Sequence, residues 1–151
     1  MIETEHPARV RDAVRALASL DRQVTAARAA MTDQVLRRYG LTWTGYRALA
    51  EAARHATTDH RQLADAVGLS ASTLAGVVTG LCYVGLLRRD RQSARGGRVD
   101  IAVTEHGRAQ LAAIDRDAEP LAARLLANLA DLAEWNVVLP AASLSGHDPG
   151  E

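Results

Sequence analysis

A mainly α-helical chain with one small β element is what this sequence predicts, and three observations carry the prediction. Apolar residues recur every third or fourth position along most of the 151 residues. Aromatic content is 3% with Phe absent, so the interior has to be built from Leu, Val and Ala, of which Leu and Ala favour helix. One segment, 86–103, leaves the helical period for two short β-type runs around Gly96-Gly97. Two short helices joined through a glycine corner precede that hairpin, and a long helical pattern lies on either side. The expected architecture is a winged helix–turn–helix lobe with N- and C-terminal helices for dimerisation. Its length fits one domain: helices over about 8–38 and 107–139, the lobe over about 42–106, and a loose tail at 140–151.

Each element has its own reason. From Pro7, suited to a first helical turn, Val10, Val14, Leu17, Leu20, Val24, Ala27, Met31 and Val35 step by threes and fours towards Gly40, which predicts one long amphipathic helix. Thr42 caps a second helix running to about residue 55, with Tyr46, Leu49 and Ala53 on one face. Asp59 followed by Gln62 is a capping-box start for a short helix burying Leu63, Ala64 and Val67, and Gly68 supplies the left-handed turn that ends it. Leu69 fills the corner and Ser70 caps the next helix. There Leu74, Val77, Val78, Leu81 and Val84 make one buried stripe, closed by Gly85. Residues 86–89 and 99–103 are the strands of the wing. After Thr104 a helix is expected to about residue 118, a break at Pro120, and a last helix carrying Leu121, Leu125, Leu129 and Leu132 to about residue 139.

Charge and chemistry narrow the function. The net charge is zero, so any nucleic-acid footprint has to be local. It is concentrated in the wing, where Arg88, Arg89, Arg91, Arg95 and Arg98 face a single carboxylate, Asp90. Guanidinium stays charged and forks onto phosphate oxygens, so such a finger suits a DNA backbone or a narrow minor groove. The helix over 71–84 has no charged residue, which leaves sequence choice to Ser70, Ser72, Thr73 and Thr79. The candidate DNA contacts are these four hydroxyls with Arg88, Arg91, Arg95 and Arg98.

Trp43, Tyr46 and Arg47 form a second cluster able to hold a planar anion by stacking and charge, or simply to anchor helices. Two long helices leave more apolar stripe than the lobe can cover, which predicts a homodimer paired through Val10, Val14 and Leu17 with Leu125, Leu129 and Leu132. The five histidines are scattered without metal-ligand spacing, and neither a phosphate loop nor a nucleophile elbow occurs, so no catalytic residue, metal or cofactor is expected. His106 beside Glu105 reads as a helix start. Cys82 stands alone, excluding an intrachain disulfide, and is expected to be a small core residue. The acidic N-terminus lacks the pattern of a secretory signal and no apolar run is long enough to span a membrane, so a cytoplasmic protein is expected.

The motifs Leu41-Thr42-Trp43-Thr44-Gly45-Tyr46-Arg47-Ala48-Leu49, Gln62-Leu63-Ala64, Leu69-Ser70-Ala71-Ser72-Thr73-Leu74, Gly85-Leu86-Leu87-Arg88-Arg89 and Val103-Thr104-Glu105-His106-Gly107 resemble the multiple-antibiotic-resistance regulator (MarR) family, from about residue 8 to 139. The resemblance implies a homodimeric transcriptional regulator, a repressor in the first instance. It would grip a pseudo-palindromic stretch of double-stranded DNA and release or tighten it when a small, frequently aromatic effector binds. The chain departs from the family's pattern at Gly76, Thr79 and Gly80, where charge is common, and at Arg95-Gly96-Gly97, where an Asp-x-Arg pair is usual. A second expectation follows from the uncharged helix: the same scaffold binding or transforming a small aromatic molecule without DNA.

Overall fold

The structure, a computed structural model, describes residues 6–91 and 99–136, with side chains over 9–90 and 99–127. Its elements run α1 (His6–Gln34), a 3-10 turn (Leu36–Tyr39), α2 (Trp43–Ala52), β1 (Thr58–Asp59), α3 (His60–Val67), α4 (Ala71–Tyr83), β2 (Leu87–Arg91), β3 (Val99–Val103) and α5 (Glu105–Asn136). The chain divides into two units, Met1–Ala118 and Glu119–Glu151. It is the mainly helical winged fold that periodicity predicts, with a small antiparallel sheet.

Differences from the expected elements have physical causes. The N-terminal helix stops at Gln34 rather than continuing towards Gly40, and Val35 and Leu36, just past its end, are both buried. The chain tightens there into the 3-10 turn, which Gly40 ends in the left-handed region. In α2 the buried face is Gly45, Ala48, Leu49 and Ala52, while Tyr46 and Ala53 are only half-buried. The small Gly45, Ala48 and Ala52 leave room around Leu49 for α2 to pack against both α3 and α4.

The central pair forms as its caps dictate. Asp59 Oδ1 accepts from Gln62 N at 2.7 Å while Asp59 N donates to Gln62 Oε1 at 3.4 Å, completing the box; Leu63, Ala64 and Val67 are buried. Gly68, at φ 68°, takes the left-handed corner that any β-carbon would strain. The chain turns by 106° from α3 to α4, within the helix–turn–helix range. Ser70 caps α4, its hydroxyl accepting from Thr73 N at 3.2 Å. Leu74, Val78 and Leu81 are buried and Val77 half-buried. Val84, expected in that stripe, is exposed: α4 has already ended, and the turn through Gly85 brings Leu86 inward instead, its N donating to Leu81 O at 2.9 Å.

The sheet has three strands in the order β1-β3-β2, not the two of a simple hairpin. Thr58 and Asp59 pair with Ile101 and Asp100, and β2 pairs with β3 from Leu87↔Val103 to Arg91↔Val99. Thr104 then caps the last helix, accepting from Gly107 N at 3.0 Å and donating to Gly85 O at 2.6 Å. The expected break at Pro120 is absent: α5 runs through it as a single helix. Pro120 forgoes one backbone bond, and the Ala, Leu and Arg around it are helix formers strong enough to carry the turn across. Tyr39 ties the 3-10 turn to α5 through a 2.9 Å hydrogen bond from its hydroxyl to Asp117, which with Arg38 at 3.6 Å closes a small polar cluster. That hydrogen bond holds the phenol above its usual pKa.

Candidate nucleic-acid interface

The surface of α4 away from the core is smooth, polar and uncharged. Ser72, Gly76, Thr79 and Tyr83 follow one another at helical spacing and are exposed, with Thr73 and Gly80 beside them. At Gly76 and Gly80 a β-carbon would meet nothing within 4 Å, so the backbone itself is open to a ligand. The four hydroxyls assigned to base reading divide in two. Ser70, Ser72 and Thr73 form a cluster at the helix start, with Ser70 Oγ 3.1 Å from Ser72 Oγ and 2.8 Å from Thr73 Oγ1. Ser70 is thereby committed to capping. Thr79, two turns on, stands apart and accepts from Arg89 Nη2 at 2.8 Å.

The strands place the arginines unequally. Arg88 is exposed and paired with Asp90 on the same strand. Arg89 leans onto α4. Arg91 ends β2, but its side chain, with all of Arg95 and Arg98, lies outside the described residues. Arg89 was absent from the expected DNA-reading residues, and only its strand register could have marked it. Cys82 on α4 is half-buried rather than a fully enclosed core residue. Burial pushes its thiol up from the usual value, with the Arg89 charge acting the other way.

The second cluster also comes together in part. Trp43 and Tyr46 lie with ring centroids 5.7 Å apart and tilted by 37°. The guanidinium over the indole belongs to Arg28 of α1, 5.9 Å from the ring centroid, whereas Arg47 is exposed. Arg28 escaped sequence reading because it stands in a different helix. Tyr46 is held as a neutral phenol by burial, which raises its pKa, with Asp115 acting in the same direction.

Among the expected dimer residues, Val10, Val14 and Leu17 are exposed, and Leu20 and Val24 extend the same apolar stripe along α1. Leu125 is half-buried; the side chains of Leu129 and Leu132 lie outside the described residues. Among the described residues no group of three His, Cys, Asp or Glu could hold a metal ion, and no single helix is long and apolar enough to cross a membrane.

No protein-family profile and no curated protein matches the chain. Solved structures do. A MarR family transcriptional regulator from Silicibacter pomeroyi shares 27% identity, covering 76% of this chain and 81% of its own with a TM-score of 0.64. A probable transcriptional regulator from Pseudomonas aeruginosa is also 27% identical, over 72% of this chain and 80% of its own, with a TM-score of 0.63. A MarR family protein of Mycobacterium tuberculosis in complex with p-aminosalicylic acid is 21% identical, over 81% and 93%, with a TM-score of 0.63, a likeness of fold.

Proposed function

We propose, from the premise that this chain is a winged helix–turn–helix regulator of the MarR family, that it represses transcription by binding a pseudo-palindromic operator as a homodimer. The observation that carries the reading is the outer face of α4: an exposed strip of hydroxyls and glycines on the second helix of a 106° corner, beside the arginine-bearing strand β2. A strip without bulk lets the helix lie close in a major groove, where hydroxyls bond base edges directly or through water. Affinity then rests on arginine–phosphate contacts, with Arg95 and Arg98 as the wing's contributors. Two such helices related by a two-fold axis would meet half-sites about 10 base pairs apart.

Selection of bound fragments from a random duplex pool at moderate salt tests this directly. An enriched inverted repeat is expected. Arg95→Ala or Arg98→Ala should weaken binding to every sequence and lower the salt slope by about 0.9 for each phosphate that is no longer neutralised. Failure to bind any duplex in dilute buffer would end the proposal.

An aromatic anion is the proposed effector class, held at Trp43 and Tyr46 with Arg28 or Arg47 as counter-charge. The Trp43–Tyr46 ring pair, with the Arg28 guanidinium over the indole, supports it, as does the p-aminosalicylic acid in the complex of the Mycobacterium tuberculosis protein.

A further inference from the structure

The open face of α4 lacks the side chain that most often reads a guanine, an arginine. The neighbouring strand supplies one. Arg89 lies on the same side of β2 as the buried Leu87 and opposite the buried Ile101 in register, and its hydrogen bond to Thr79 shows that this side meets α4. Arg89 is one step past the core, so its side chain runs along α4, where Nη2 donates to Thr79 Oγ1 at 2.8 Å. Its charge also reaches Cys82, three residues further along the helix. Arg88, on the other side of the strand, has its charge offset by Asp90.

We infer that Arg89 is the base-reading cation of the α4 surface, a guanidinium delivered by β2, and that Thr79 is its positioning residue rather than a reader of bases. The threonine hydroxyl accepts one of the five guanidinium N–H donors and leaves the others for an external acceptor. Two acceptors side by side, as at the O6 and N7 of guanine, match the planar fork. Gly76 and Gly80 keep the adjoining strip free of side chains that would hold a base edge away. A helix with no charge of its own thus acquires a sequence-reading cation through a tertiary contact. The inference rests on the DNA-binding reading above and deepens it.

The test compares a duplex carrying the selected inverted repeat with a random duplex of equal length at one salt concentration. Arg89→Ala should lower affinity for the selected duplex about tenfold to a hundredfold and for the random duplex only slightly. Arg89→Lys, which keeps the charge without the fork, should hold random-duplex binding near wild type without recovering the preference. Thr79→Val, similar in shape but unable to accept, should reduce the ratio between the two duplexes, and Thr79→Ser should restore it. Repeating the selection with Arg89→Ala should erase a G·C preference at one symmetric position per half-site.

Equal losses on both duplexes, or none, would overturn the base-reading role. A ratio unmoved by Thr79→Val would overturn the positioning role. Wild-type protein that binds neither duplex would instead overturn the regulator reading, and this inference with it.

Discussion

At Gly107 a single missing carbon decides how the last helix meets the wing. A β-carbon there would lie 2.3 Å from the carbonyl oxygen of Leu86 and 2.8 Å from Val103 Cγ1. The first of these is backbone held by its own hydrogen bond from Thr104 N at 3.1 Å, so it cannot step aside cheaply. Gly107→Ala should therefore cost about 3 kcal/mol, read as a lower denaturant midpoint at unchanged m-value; an unchanged midpoint would show that the approach is not tight. Sequence shows a glycine in a helix's first turn but not why it stands there. Ser70 is the opposite case, a capping serine before an apolar stripe that local chemistry identifies by itself. Thr79 and Arg89 fall between: both residue types were visible, but their 2.8 Å hydrogen bond joins positions ten apart on different elements.

Among the elements, α3 depends most on its ends. Eight residues are too few for a helix to hold itself, so its capping box and its buried Leu63, Ala64 and Val67 carry it. Asp59→Ala should lower stability by about 1 kcal/mol, with Asp59→Asn largely sparing it. Thermal unfolding of the three proteins reads the difference, and equal midpoints would contradict the cap's role. The same local logic makes the start and glycine end of α3 legible in the sequence, along with the Ser70 cap of α4. It fails where partners are distant. Two residues of β1 carry no periodic pattern and are a strand only because β3 offers them a partner some forty residues away. Pro120 reads as a stop because the rule for proline weighs one residue, whereas the helix sums over its neighbours.

For the molecule as a whole, the open question is the partner of α1. Val10, Val14, Leu17, Leu20 and Val24 make an exposed apolar stripe, with Leu17 65% exposed at its middle. Burial in a two-fold interface would remove Leu17 from water in both copies, each contributing about 2 kcal/mol. Leu17→Asp should thus weaken the dimer at least a hundredfold and yield a monomer of unchanged helical content, seen by light scattering and circular dichroism. Wild-type protein that is monomeric at micromolar concentration would refute the dimer.

Period, capping and turn chemistry determined the winged helix–turn–helix by themselves, because helix caps and apolar spacing act between residues only three or four apart. The third strand, the inward turn at Leu86 and the arginine laid on Thr79 were decided by tertiary structure. Each depends on what a distant segment places alongside, and a free energy set by such a neighbour leaves no local pattern to read.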